Sequence, residues 1–398
     1  MDAQSAILMD AGTGQILYQL NADEARPPAS MSKMMTEYLV SMAVKQGKLS
    51  WDDTVTVGEN AAKQIGSRIL LAQGDQHTIR ELYIALAVYS ANDATVQLAE
   101  EVSGSEEAFV KLMNDTAVEM GLTQTHFINS TGLDRADMPE KFRPTSVEGE
   151  TTMSAKDAAT LAYRIIHDDP EFLETSKLQE YKFRPRDKTP MKNWNWMLGS
   201  NKDNPTLRKF AYEGVDGLKT GHTSRAGNNF TGTALRNGTR LIAVVMGVPG
   251  TTEDGKRFLE TAKLFDYGFK GFEKKTILEA KAAVPEHETL KVKKGKSKTV
   301  PVVTATDITL MVPKGATAEP VLQEVRQAQD PLVAPIEQGA KVGMAIYKYK
   351  DPSTQEEKTV EIDLIASEEV GKAGWWTLLF RGIGDFFSGL FKGIVDLF

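Results

Sequence analysis

The sequence predicts an α/β (α+β) chain: an antiparallel sheet covered by helices plus a helical lobe over residues 1–272, a small all-β domain over 275–365, and an amphipathic C-terminal helix over 368–398. Three observations carry this expectation. Short β-rich runs stand at both ends of the first region with helical periodicity between them. Composition turns to alternating Thr, Val and Lys after about Glu273. The final residues are apolar on all but a narrow stripe.

Ile7-Leu8-Met9 and Ile16-Leu17-Tyr18 flank Gly12-Thr-Gly14, the pattern of a β-hairpin. Arg26-Pro27-Pro28 breaks the chain; Met31, Met34, Met35, Tyr38 and Met42 then recur at helical spacing, so a helix should run from about Ser30 to Val44 with Ser30 at its N-terminus. Thr78-Ile-Arg-Glu81 is a capping box ahead of Leu82 to Tyr89, a stretch too apolar for a surface helix. Ser90-Ala-Asn92-Asp93 interrupts that helix, Ala94 to Val102 resumes it, and helical segments follow at about 105–120 and 153–168. From Gly214 the chain turns β-rich: Phe230 to Leu235 and Arg240 to Gly247 are joined by Asn237-Gly238, a strong hairpin signal, and a helix follows from about Lys256 to Tyr267. Turn signals at Lys294-Gly295, Pro313-Lys-Gly315 and Gln338-Gly339 divide 275–365 into short strands. In the final segment Arg381, Asp385, Ser388, Lys392 and Asp396 make the polar stripe. That stripe, with Trp375 and Trp376 near its beginning, favours a helix lying in a membrane interface over one spanning the bilayer.

Composition narrows the function classes. Of 398 residues 41% are hydrophobic and 25% charged, which is globular, and a formal charge of −7 argues against nucleic acid as the main partner. The absence of cysteine removes disulfides, thiolate metal sites and a cysteine nucleophile, and five scattered histidines argue against a multi-histidine metal site. The chain begins Met1-Asp-Ala-Gln-Ser, without the basic segment and apolar core of a signal peptide. The run Lys291, Lys293, Lys294, Lys296 and Lys298 reads as a solvated turn of the β-domain.

Three short patterns bear on chemistry. Ser30-Met-Ser-Lys33 puts a hydroxyl at a helix start with an amine one turn later on the same face; a lysine neutralised by burial or a second cation can serve that hydroxyl as base. Ser90-Ala-Asn92 lies at a helix break that can aim a hydroxyl and an amide into a cleft. Lys219-Thr220-Gly221 would offer a positive charge, a hydroxyl and close backbone approach from a strand. Each alone is what an N-cap, a helix–helix turn or a strand end looks like. All three, in this chain order and in these contexts, are a more specific signal.

The set resembles the penicillin-recognising serine enzymes, which share Ser-x-x-Lys, Ser-x-Asn and Lys-Thr-Gly. Pro28-Ala-Ser-Met-Ser-Lys-Met-Met-Thr36, Tyr89-Ser-Ala-Asn-Asp93, Phe127-Ile-Asn-Ser-Thr-Gly-Leu133 and Asp216-Gly-Leu-Lys-Thr-Gly-His-Thr223 look like the low-molecular-mass penicillin-binding proteins that are D-alanyl-D-alanine carboxypeptidases. Pro335-Ile-Glu-Gln-Gly-Ala-Lys-Val-Gly343 resembles the β-domain that follows in that family. The resemblance implies a β-lactamase-like serine transpeptidase fold and a serine hydrolase that removes the last D-alanine from peptidoglycan stem peptides, takes β-lactams as covalent inhibitors and needs no metal or cofactor. Ser30 would be the nucleophile and Lys33 the acylation base; Ser90 and Lys219 would pass the proton to the leaving amine, and Asn92 would hold the site together. The backbone N–H groups of Ser30 and His222 would form the oxyanion hole, while Thr220, Gly221, Thr223 and Arg257 would receive the substrate and its carboxylate. It also implies a place at the extracytoplasmic face of the cell membrane, with the signal peptide removed and the C-terminal helix on the membrane surface. The competing readings are a class A-like β-lactamase, against which no Glu-x-x-x-Asn setting occurs over 130–200, and a catalytically silent membrane-attached wall-binding protein.

Overall fold

A computed structural model describes residues 1–353 and 355–380 and divides the chain into two units after Gly271. In the first unit the predicted hairpin forms strands β1 (Ser5–Asp10) and β2 (Ile16–Leu20), and the later β-rich runs form β3 (Val215–Thr223), β4 (Gly227–Arg236) and β5 (Thr239–Val248). All five make one antiparallel sheet in the order β2-β1-β5-β4-β3, with Ile7 opposite Val244. The two ends of the unit therefore share a sheet, and β1 lies inside it.

Every residue of β1 is buried, so both sheet faces are covered. Alternation sorts the side chains. Ile7, Met9, Ile242, Val244 and Met246 join the large core with α5 (Ala155–Asp168), while Leu8 and Leu241 pack at Gly268 of α6 (Lys256–Gly271). That core extends into the helical lobe: α1 (Lys33–Lys45), α2 (Ile79–Tyr89), α3 (Asn92–Ser103) and α4 (Glu106–Glu119). The capping box at α2 forms as read, with Thr78 Oγ1 accepting from the Glu81 N–H at 3.2 Å and Glu81 Oε2 from the Thr78 N–H at 2.9 Å. One boundary moves. Ala29–Ser32 is a 3₁₀ turn, and the α-helix expected from Ser30 starts at Lys33.

The second unit contains β6 (Phe272–Leu278), β7 (Thr289–Lys293), β8 (Thr299–Thr304), β9 (Ile308–Pro313), β10 (Val321–Gln327), β11 (Leu332–Val333), β12 (Lys341–Lys350) and β13 (Glu357–Ala366). Six of these form a sheet in the order β10-β12-β13-β8-β7-β11, and β6 pairs with β9. Val300, Val302, Ala345, Tyr347, Ile362 and Leu364 alternate into its core, which is why the sequence here shows period two instead of helical runs.

Most of the amphipathic helix expected over 368–398 lies outside the described residues. Residues 375–380 are helical, and Trp375, Trp376, Leu379 and Phe380 are exposed. Among the described residues no helix is long and apolar enough to cross a membrane.

Candidate active site

The turn Ala29–Ser32 feeds straight into α1, so Ser30 and Lys33 fall on one side and Lys33 Nζ stands 3.0 Å from Ser30 Oγ. Lys33 is wholly buried, and its Nζ also donates to the Thr131 carbonyl at 2.9 Å. Thr131 is held by Asn129, whose Oδ1 accepts from the N–H groups of Thr131 (3.1 Å) and Gly132 (2.6 Å). Gly132 has φ +82°, and a Cβ there would lie 1.9 Å from the Ala29 carbonyl oxygen. The loop Asn129–Gly132 thus closes on the nucleophile turn, and glycine is what allows the approach.

The helix break is where the sequence placed it. α2 ends at Tyr89, Ser90 adopts the left-handed conformation (φ 59°, ψ 34°), and α3 begins at Asn92. Ser90 Oγ is buried and has no hydrogen-bond partner among the described residues, although it lines the same cavity as Ser30. Asn92 is not among the residues that line that cavity. Its Nδ2 donates to the Ile65 carbonyl at 2.6 Å and its N–H to the Ser67 carbonyl at 2.7 Å, while Asp93 accepts from the N–H groups of Ile69 and Leu71. These bonds tie the 65–71 segment, with cavity-lining Ser67, to the start of α3.

Strand β3 supplies a third wall. Gly221 is essential there, because a Cβ would lie 2.4 Å from the Pro28 carbonyl oxygen. Thr220, Gly221 and His222 line the cavity; the His222 ring is exposed, with Nδ1 3.1 Å from the Gly227 carbonyl. Thr223 is not brought into the cavity lining, and its Oγ1 instead accepts the Ala226 N–H in the β3–β4 turn. Arg257, in the first turn of α6, is only 4% exposed. Its Nη1 lies 3.4 Å from the Gly221 carbonyl and its Nε has no partner among the described residues. A charged residue at a helix start is ordinarily solvated; this one is drawn under the cleft.

The resulting cavity is about 290 Å³ and includes Ser30, Ser90, Thr220, Arg257, Trp194 and Trp196. A second cavity of similar size at Glu100, Glu106 and Lys141 contains none of the motif residues, and its Glu106 is engaged by the N–H and hydroxyl of Ser130. Burial, reinforced by the charge of Lys219, holds the Lys33 ammonium well below the usual lysine range. Burial lowers Lys219 likewise, with Glu37 opposing and Arg257 assisting. Arg257 is brought down to about 10 by desolvation. A hydroxyl beside an amine that resists protonation is the arrangement a serine nucleophile needs, and the buried cations nearby suit an anionic substrate group. Among the described residues no group of three or more His, Asp or Glu side chains is placed to hold a metal ion.

Some lining residues escaped the sequence reading. Trp194 and Trp196 sit in a stretch without clear periodicity, fixed by Asn193 and Asn195: Asn193 Nδ2 donates to the carbonyls of Ser176 and Leu178, and Asn195 Nδ2 to that of Gly217. The alternation Asn193-Trp-Asn-Trp196 was the available signal. Glu37, buried one turn past Lys33, was also missed; a carboxylate on an otherwise Met- and Tyr-rich helix face could have marked it.

Comparison with known proteins gives the family of the chain. The family described as D-alanyl-D-alanine carboxypeptidase matches residues 1–250, and the family described as Penicillin-binding protein 5, C-terminal domain, matches 272–372. D-alanyl-D-alanine carboxypeptidase DacF of Bacillus subtilis (strain 168) is 36% identical over 384 residues, covering 96% of this chain and 90% of the relative. Penicillin-binding protein 5 from Haemophilus influenzae has a similar structure (TM-score 0.72, 32% identity, 94% of this chain and 98% of that one), as does PBP3 from Streptococcus pneumoniae (TM-score 0.77, 30% identity, 93% and 99%). Penicillin-binding protein D2 from Listeria monocytogenes in its cefotaxime-bound form matches over 68% of this chain and 98% of that one, with TM-score 0.56 and 34% identity. The chain therefore belongs to the D-alanyl-D-alanine carboxypeptidase family of low-molecular-mass penicillin-binding proteins.

Proposed function

We propose that this chain is a serine D-Ala-D-Ala carboxypeptidase, a hydrolase of the bacterial cell wall that removes the terminal D-alanine from peptidoglycan stem peptides through an acyl-enzyme on Ser30. The observation that carries the reading is the 3.0 Å separation of Lys33 Nζ and Ser30 Oγ at a cavity shared with Ser90, Thr220 and Arg257. Neutral Lys33 takes the hydroxyl proton as Oγ bonds to the carbonyl carbon of the penultimate D-alanine. The N–H groups of Ser30 and His222 receive the developing oxyanion. The proton then reaches the leaving amine through Ser90, whose hydroxyl has no competing partner among the described residues, with Lys219 supplying positive charge. Thr220 and Arg257 hold the terminal carboxylate, and Gly221 lets the strand approach. Water admitted after D-alanine leaves releases the shortened peptide. A β-lactam acylates Ser30 by the same steps and stays bound, since the Glu-x-x-x-Asn setting that serves deacylation in class A β-lactamases does not occur over 130–200.

In this reading residues 1–272 are the catalytic domain and 275–365 a β-domain spacer. The C-terminal segment, expected from the sequence as an amphipathic helix over 368–398 and helical among the described residues only from 375, would attach the enzyme peripherally at the extracytoplasmic face. Incubation with benzylpenicillin followed by intact-mass measurement tests the chemistry: one stable adduct is expected, absent from Ser30→Ala, together with release of D-alanine from a peptide ending in D-Ala-D-Ala. An unmodified wild-type mass would support the silent wall-binding protein, and rapid release of penicilloic acid the β-lactamase. Sedimentation with anionic lipid vesicles tests the helix: the full chain should bind, and a chain ending at residue 372 should not.

A further inference from the structure

Behind Lys33 lies a carboxyl group that the proposed reaction leaves without a task. Glu37 follows Lys33 by one turn of α1, so the two side chains share a face. It is wholly buried, and neither carboxyl oxygen has a hydrogen-bond partner among the described residues. Natural proteins rarely bury such a group without either a partner or a role.

The surroundings of Glu37 are specific. Lys33 on its own helix and Lys219 from β3 both act on it electrostatically. From α2, the Tyr83 hydroxyl donates to the Glu37 backbone carbonyl at 3.2 Å, leaving the carboxyl untouched. Asp93 on α3 acts on Lys33 but is engaged by the N–H groups of Ile69 and Leu71, Arg257 acts on Lys219 from α6, and Glu106 on α4 is bonded to Ser130. At the far end of α1, Asp168 and Asp169 of the α5 end are bonded to Tyr38 and Ser41, and Arg164 pairs with Asp168. The buried neighbours that answer Glu37 are thus the two lysines of the candidate site.

We propose that Glu37 is a positioning residue whose carboxyl group balances the charge of the Lys33–Lys219 pair and so sets the pH range over which Ser30 is acylated. The proposal rests on the roles given above to Ser30 and Lys33. When Lys33 accepts the serine proton it becomes an ammonium beside cationic Lys219, with both charges out of water. An ionised Glu37 offsets one of them and makes the transfer easier; when the proton leaves for the departing amine, Lys33 is neutral again and the balance is restored. Burial pushes the Glu37 carboxyl up while the two lysines pull it back, so the group titrates together with its neighbours.

Removing this charge has a defined sign. A nearby anion favours the ammonium form of both lysines, so its loss lets each deprotonate at lower pH. Lys33 then becomes available as a base at lower pH but is a weaker one, and Lys219 loses its charge earlier. The acylation rate by benzylpenicillin, read by intact mass on the full chain across pH 5 to 10, should therefore show both limbs displaced to lower pH by about 1 unit in Glu37→Gln, with a reduced plateau. Glu37→Met, which buries no amide, should show the same displacement, and Glu37→Asp should restore part of it. A folded Glu37→Gln or Glu37→Met with wild-type limbs overturns the proposal, whatever its thermal stability. Should neither variant fold, infrared difference spectra of the wild-type chain labelled with ¹³C-glutamate decide: a glutamate carboxyl band changing between protonated and ionised forms on acylation supports the proposal, and no change overturns it. A wild-type chain that forms no adduct sinks the Ser30 reading itself, an outcome distinct from normal acylation that ignores Glu37.

Discussion

Replacing Arg257 with Met tests how the substrate is held. Arg257 is 4% exposed, lacks an ion-pair partner within bonding distance among the described residues, and is lowered from the usual guanidinium range to about 10 chiefly by desolvation. A shift of that size corresponds to about 3 kcal/mol of lost solvation for the charged form. A substrate carboxylate arriving beside it restores a favourable environment through two charge-assisted hydrogen bonds, at about 1.5 kcal/mol each, so the gain on binding is of the same order. Arg257→Met should accordingly lower kcat/KM on an N-acylated tripeptide ending in D-Ala-D-Ala by about 10²-fold, since 1.4 kcal/mol is a factor of ten. The same peptide with a C-terminal amide, already without the charge, should lose less than about threefold. Stability should fall by less than about 1 kcal/mol in urea, because the buried cation removed has only the longer-range charges of Asp254 and Glu253 to offset its desolvation. Equal losses on acid and amide, or a carboxylate substrate turned over as well as by wild type, would refute the assignment.

Three further outcomes follow from the site. The fold favours the neutral forms of Lys33 and Lys219, so the stability tied to them is complete above the ordinary lysine range near 10.4 and is lost as pH falls toward their lowered values, by about 1.4 kcal/mol per pH unit for each. Glu37 has the opposite sign, losing stability as pH rises from the carboxylate range through about 8, so above that pH the lysines dominate. Urea midpoints should rise from pH 8.5 to 10 in wild type and less steeply in Lys33→Met; parallel slopes would contradict the burial argument. Ser90→Gly relieves a left-handed residue whose hydroxyl has no partner among the described residues, so its unfolding free energy should stay level or rise by up to about 1 kcal/mol while acylation slows by about 10²-fold, as fluorescent-penicillin labelling would measure. Gly221→Ala puts a Cβ 2.4 Å from the Pro28 oxygen and should slow acylation more than tenfold by forcing β3 from the nucleophile turn; labelling at the wild-type rate with an unchanged circular dichroism spectrum would count against that contact.

What the sequence made legible depended on whether a pattern was local. The capping box at Thr78, the break at Ser90 and the Asn237-Gly238 hairpin are each specified by a few adjacent residues, and each forms where read. The sharing of one sheet by both ends of the first unit was legible because isolated β-runs must pair somewhere. The 3₁₀ geometry of Ala29–Ser32 was not, because it depends on Gly132 and Gly221 closing on that turn from distant positions. Arg257 and Glu37 have the same explanation from the charged side. Position at a helix start marks Arg257 as solvated, and the Met- and Tyr-rich face around Glu37 is only a local hint; what removes both from water is packing by distant residues, Gly221 beside Arg257 and Tyr83 and Lys219 around Glu37. Thr223 shows the limit of a motif from another side: its Oγ1 accepts the Ala226 N–H of the β3–β4 turn, a contact no local pattern marks, while its own O–H stays available to donate.

The interior position of β1 also constrains how the chain acquires its structure. Ile7 cannot meet Val244 until more than half of the polypeptide has been made, and the intervening loop must close before the central strand pair contributes anything. A nascent chain still lacking Thr239–Val248 can pair its apolar N-terminal strand only with β2, leaving the other edge of β1 unpartnered. Such a chain stays extended and a ready client for chaperones until its last sheet partner arrives, so premature termination before that point should yield aggregates instead of a smaller folded enzyme.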